Sequence, residues 1–215
     1  MAGARIDGRV ERGNQSRRLV LGRTMEIASV EGLGGLSIGR IATELGLSKS
    51  GVFALFGSKE ELQLATVRAA RAVFARHVAQ PADETPPGLG RVWRVCANYL
   101  AYSRERVFPG GCFFTTVAAE YSARSGPVRD AVALAREEWI GYLRGLLEEA
   151  RVVGELTPES EVPQLAFELV ALLEMANADS VLHQDHESYR RAAEGIRARL
   201  TACAAVTVPL PDAPA

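Results

Sequence analysis

Gly46 most restricts what this chain can become. Before it stands a short apolar-periodic segment, Ile38, Ile41, Ala42 and Leu45; after it stand Leu47, Val52, Phe53 and Phe56. Apolar residues three and four apart line one face of a helix, so each segment reads as a helix of about two turns. A glycine between them supplies the left-handed backbone of a tight turn, because it has no Cβ to clash. Helices this short do not stand alone and must pack on a third element. That element precedes them. Leu19, Val20, Arg23, Thr24, Ile27, Ala28 and Val30 share a helical face that stops at Gly32, and Gly34–Gly35 turns the chain back. Ser37 and Ser48 occupy the N-cap positions of the two short helices, and Ser58 with Glu61 forms a capping box for the next. Two short helices joined at a glycine turn make a helix-turn-helix, in which the second helix can enter a groove.

The remainder also reads as helix. One segment runs from Ser58 to about Val78 through Leu62, Ala65, Ala69, Val73 and His77, and the stretch QPADETPPG that follows cannot continue it. Further helices are expected near 89–106, 111–123, 127–152, 161–183 and 187–205, divided by Pro109–Gly110–Gly111, Gly126–Pro127, Gly154 and Thr157–Pro158. No strand-like alternation interrupts them, and 47% hydrophobic residues in a chain of 215 are enough for a real core. The expected fold is all-α. It comprises a disordered arm (1–15), a helix-turn-helix domain (16–60), a helical effector-binding and dimerisation body (61–205) and a loose proline-rich tail (206–215).

The first residues carry Arg5, Asp7, Arg9, Glu11 and Arg12 instead of the apolar stretch of a secretory leader. No apolar run reaches the ~18 residues of a membrane span, so a cytoplasmic location without membrane partners is expected. Cys96, Cys112 and Cys203 lack CxxC or Cys/His spacing and read as small buried thiols. No metal or cofactor is expected.

A net charge of −1 conceals an asymmetry. Residues 16–59 hold Arg17, Arg18, Arg23, Arg40, Lys49 and Lys59 against Glu26, Glu31 and Glu44, so a basic head sits on an acidic body. Such a head suits the phosphate backbone of double-stranded DNA. The helix after Gly46 begins with Ser48, Lys49, Ser50 and Gly51, small or basic residues that let the backbone approach a duplex while the helix N-terminus attracts phosphate. The run GLSKSGVFALFGSKEEL, with the helix before it, resembles the DNA-binding domain of the tetracycline-repressor (TetR) family over residues 17–64, about a fifth of the chain. The resemblance implies that Ser37 and Arg40 sit beside the DNA backbone, that Ser48, Lys49, Ser50, Gly51 and Ala54 face the groove, and that Lys59 clamps a phosphate. Where family members often carry aromatic hydroxyls or a histidine, this chain has Phe53, Ala54 and Leu55. Base reading is then expected to lean on Lys49, Ser50, thymine methyls and DNA shape. Phe53 and Phe56 are expected in the core of the small domain.

The last two helices read as a homodimer interface. Residues 163–183 are apolar on nearly every side, which needs burial all round, and Tyr189, Ala193, Ile196, Leu200 and Cys203 in 187–205 repeat at close to a seam spacing. Effector-binding candidates cluster in the middle helices and in 161–183: Trp93, Cys96, Tyr99, Phe113, Thr116, Trp139, Tyr142, Met175 and Asn177, with Phe108 and Phe167 nearby. Apolar walls with a few polar handles suit a small molecule. The function expected is that of a dimeric repressor of a palindromic operator, released by a small-molecule effector. One alternative is a thiol-based redox sensor of the same build using Cys112, which follows two glycines at a helix start. The other is an all-helical enzyme, for which His77, His183 and His186 offer no HExxH or Ser/His/Asp constellation.

Overall fold

The structure, a computed structural model, describes residues 8–211, whose regular structure is helical apart from one isolated bridge between Leu156 and Ala204. In chain order the helices are α1 (Gly8–Glu31), α2 (Ile38–Glu44), α3 (Lys49–Phe56), α4 (Lys59–Phe74), α5 (Leu89–Arg104), α6 (Phe113–Tyr121), α7 (Pro127–Val152), α8 (Val162–His183) and α9 (Glu187–Ala202). α4 continues through a π-helical turn, Ala75–Ala79, into a 3-10 turn, Gln80–Ala82. Among the described residues, no helix is long and apolar enough to cross a membrane.

α1 begins at Gly8, so residues 8–15 are helical where an arm was expected to be disordered; residues 1–7 lie outside the described residues. Once a helix is nucleated, adding a polar residue costs little, so the polar stretch 8–15 extends the cylinder that the apolar face of 19–30 sets up. Val20, Ile27, Ala28, Ile41, Val52, Phe56 and Leu62 are buried together beneath α2 and α3. Gly46 adopts φ +63, the left-handed turn that its lack of a Cβ allows. The Ser48 hydroxyl accepts from the Gly51 amide at 3.0 Å and the Ser58 hydroxyl from the Glu61 amide at 3.0 Å. Arg17 ties α1 to α3, donating to the Leu55 carbonyl at 2.6 Å with its guanidinium 4.4 Å from the centre of the Phe56 ring.

In the body, α5 is the central rod, packed against α7, α8 and α9, with Val92, Trp93, Cys96 and Tyr99 buried. A polar knot closes this core. Asn177 Oδ1 accepts from the Ser103 hydroxyl at 2.6 Å and from the Cys112 amide at 2.8 Å. Arg106 donates to the Tyr189 hydroxyl at 3.0 Å and to the Ser180 carbonyl at 3.1 Å.

The outer surface of α8 and α9 differs from the sequence reading. Tyr189, Ala193, Ile196, Leu200 and Cys203, expected as a seam toward a partner, are all buried within their own chain. A heptad-like spacing marks one buried face without saying which neighbour covers it, and here α5 and α8 do. α8 is buried on one side only; Phe167, Met175 and Leu182 remain 67%, 61% and 74% exposed on the other.

Candidate functional site

Two sites take shape, one on the head and one in the body. On the head, α3 buries Val52 and Phe56, which are four residues apart, and turns its opposite face to solvent. That face presents Ser48, Lys49, Ser50, Gly51 and Ala54, all exposed. Phe53 joins them: it is 54% exposed, not in the core, because Val52 and Phe56 already fill the inward positions of so short a helix. Lys49 has no hydrogen-bond or ion-pair partner among the described residues, so its charge is uncompensated. A shallow groove beside it is lined by Arg12, Ser16, Ser48 and Gly51. Arg12 escaped the sequence reading because only the extension of α1 brings it there.

The other head residues are more engaged. The Ser37 hydroxyl makes no capping bond to α2 and is exposed. Arg40 donates to both oxygens of Glu31, at 2.6 and 2.9 Å, and to Glu44 at 2.8 Å; Arg23 bonds Glu44 and Glu26. These bonds hold the Glu31 and Glu44 carboxyls below the usual carboxylate range. Lys59 donates to the Gly34 carbonyl at 2.8 Å.

In the body, a cavity of about 390 Å³ lies between α4, α5, α6, α7 and α8. Its aromatic wall is Phe74, Tyr99, Phe114, Trp139 and Tyr142, with Phe74 and Trp139 edge to face at 5.0 Å between centroids. Its charged rim is Arg68, Arg71, Arg136, Glu138 and Glu174, in which Arg71 pairs with Glu138 and Arg136 with Glu174. Of the effector candidates read from the sequence, Tyr99, Trp139 and Tyr142 line this cavity, and so does Cys112. The other six lie elsewhere. Trp93 and Cys96 face the α5 core, and burial pushes the Cys96 thiol up to about 12. Phe113 packs on Phe108 and Phe114, while Thr116 donates to the Ser29 carbonyl at 3.0 Å. Asn177 belongs to the polar knot, and Met175 and Phe167 are on the outer face of α8. The sequence reading missed Arg68, Arg71, Phe74, Phe114, Arg136, Glu138 and Glu174. For Arg136 a signal existed: it stands three residues before Trp139 and shares its helical face.

The two sites meet at the turn from α1 to α2. Leu33 and Gly34, in the turn from α1 to α2, give their amides to the Glu120 carboxylate of α6 at 2.7 and 2.9 Å. Their carbonyls accept from Gln63 and Lys59 of α4, each at 2.8 Å. Gly110, just before α6, lies so close to α1 that an added Cβ would collide with the Ser29 carbonyl. Both clasping helices also wall the cavity, α4 with Arg71 and Phe74 and α6 with Phe114 and Ala118.

The fold is a known one. The chain superposes on a TetR transcriptional regulator from Chloroflexus aurantiacus with a TM-score of 0.85 at 22% identity, covering 92% of this chain and all of that one. A TetR-family regulator from Streptomyces coelicolor gives 0.74 at 24% identity, over 88% of this chain and 96% of that one. A transcriptional regulator from Saccharomonospora viridis, solved in complex with choline, gives 0.76 at 16% identity, over 90% and 100%. No curated protein matches the sequence. Residues 20–66 match the family model described as bacterial regulatory proteins, tetR family, and residues 88–196, about half the chain, match the tetracyclin repressor-like C-terminal domain. With the head and most of the body each matched, the chain belongs to the TetR family of bacterial transcriptional regulators.

Proposed function

We propose that this regulator is a repressor that binds a palindromic operator as a dimer and lets go when a small molecule enters the cavity between α4 and α7. The clasp on Leu33 and Gly34 carries the reading, because the helices that hold the head also wall the cavity. A ligand that spreads α4 from α6 then moves the head as a unit. The choline complex of the Saccharomonospora viridis regulator supports a small-molecule role for such a body at the level of fold.

The dimer supplies the second half of the operator. A twofold axis sets two α3 helices on one face of a duplex, about 34–36 Å apart or a multiple of that. The test starts from duplexes selected from a random pool. Selected sites should have dyad symmetry, and Lys49→Ala should weaken binding while leaving helicity unchanged. It should also flatten the slope of log K against log salt by about 0.9 for each phosphate that Lys49 neutralises. Selected sites without a dyad, or an unchanged slope, would remove the operator reading.

A further inference from the structure

The charges on the cavity wall do not balance, and the imbalance bears on what fits inside. Three guanidinium groups line the cavity against two carboxylates. Both carboxylates are taken: Glu138 by Arg71, and Glu174 by the two terminal nitrogens of Arg136. Arg68 has no hydrogen-bond or ion-pair partner among the described residues. The wall therefore offers a surplus of positive charge and no free carboxylate.

The buried polar atoms point the same way. The hydroxyls of Tyr99 and Tyr142 on the cavity wall are out of contact with solvent and complete no well-aligned hydrogen bond, Tyr99 having only the Thr115 hydroxyl and the Cys112 thiol close by. Tyr99 and Cys112 lie within electrostatic reach of the Arg136 guanidinium. Burial raises the Tyr99 phenol well above its ordinary value, so it stays protonated and can donate. A buried donor without a partner favours any ligand that brings an acceptor. Aromatic walls alone would also suit a quaternary ammonium. Here such a cation would meet no carboxylate that is not already engaged.

We propose that the effector of this cavity is an apolar carboxylate, its ring or chain seated against Phe74, Phe114 and Trp139 and its oxygens at Arg136 and Tyr99. The assignment rests on the reading of the cavity as the effector site. A ligand carboxylate offers Arg136 the same planar pair of oxygens that Glu174 does, so it can take the place of Glu174 in the fork. A neighbouring cleft of about 440 Å³ shares Ala118, Val132, Arg136 and Glu174 with the cavity, so the ion pair stands on the wall of both.

The test uses three probes on one skeleton: phenylbutyrate, its neutral amide and the trimethyl(phenylbutyl)ammonium ion, titrated calorimetrically into the full-length protein near neutral pH. The carboxylate should bind at least about tenfold more tightly than the amide, and the ammonium most weakly. Glu174→Gln frees Arg136 and should tighten the carboxylate several-fold, whereas Arg136→Gln should erase its advantage over the amide. If Arg136→Gln melts or aggregates, Arg68→Gln, at an exposed position, should still reduce that advantage. The assignment is overturned if the amide or ammonium binds as well as the carboxylate, if Glu174→Gln leaves affinity unchanged, or if no probe gives heat at millimolar concentration. A parallel titration of labelled operator separates the two readings. Operator release by the ammonium sinks the carboxylate assignment and keeps the effector site. Tight carboxylate binding without operator release does the reverse.

Discussion

A polar amide on an apolar helix has to find partners, and Asn177 finds them inside the chain. It joins α8 to the end of α5 through Ser103 and to the start of α6 through the Cys112 amide. Leucine has a similar volume but no acceptor, so Asn177→Leu strands the buried Cys112 amide and leaves the Ser103 hydroxyl with only the Tyr189 hydroxyl, 2.8 Å away. Each donor left unpaired costs about 1–3 kcal/mol. The expected outcome is a thermal midpoint lowered by several degrees, read by circular dichroism. An unchanged midpoint would mean that water or a side-chain shift replaces the amide. Phe53 is the opposite case, a ring exposed beside Lys49 on α3 that meets no core of its own. Thymine methyls and sugar edges are the apolar surfaces a duplex offers to such a ring.

Among the elements, α6 does more than its length suggests. Its first turn meets the cavity through Phe114, and its last holds the head through Glu120, with Thr116 bonded to α1 between them. The double substitution Thr116→Val with Glu120→Ala should therefore cut the link while leaving α3 untouched. Operator affinity without effector should stay within a few-fold of the parent. The shift on adding effector, about 5- to 150-fold in typical allosteric proteins, should shrink toward none. Fluorescence anisotropy with and without ligand reads both quantities, and a full response in the double variant would move the coupling to α4 alone. The sequence made α4 legible as a helix because it is long and amphipathic, with a capped start at Ser58. It did not show that α6 holds the head, because Glu120 finds Leu33 and Gly34 only once two distant segments are packed. The same holds for the cavity. Trp139 and Tyr142 follow from spacing along α7, but Arg136 meets Glu174 through the register of α7 on α8, which no single helix records. Helix positions were easier: the expected 127–152 and the observed Pro127–Val152 coincide, because Gly126, Pro127 and Gly154 mark both ends locally.

On the scale of the whole molecule, the outer face of α8 is unfinished. Phe167, Ala171, Met175, Ala178 and Leu182 are all exposed and recur every three or four residues along it, so they form one apolar stripe the length of the helix. Beside it, α9 exposes the small residues Ala198 and Ala202 in its C-terminal half, over which a second helix could pass closely, and the charged Glu187, Arg190, Arg191 and Glu194 in its N-terminal half. A stripe of this kind left in water forfeits about 1.5–3 kcal/mol for each large side chain that a partner could cover. A second copy related by a twofold axis would cover both stripes at once, since the same patch would then meet itself. Phe167→Asp with Met175→Glu places two like charges from each copy in that contact. The variant should run as a monomer in light scattering at micromolar concentration, with its helicity retained because neither side chain enters the core. Its operator affinity should fall by about a hundredfold or more, since one head must then bind without the other. A variant that remains dimeric, or a monomer that grips the operator as tightly as the parent, would place the twofold contact on another face.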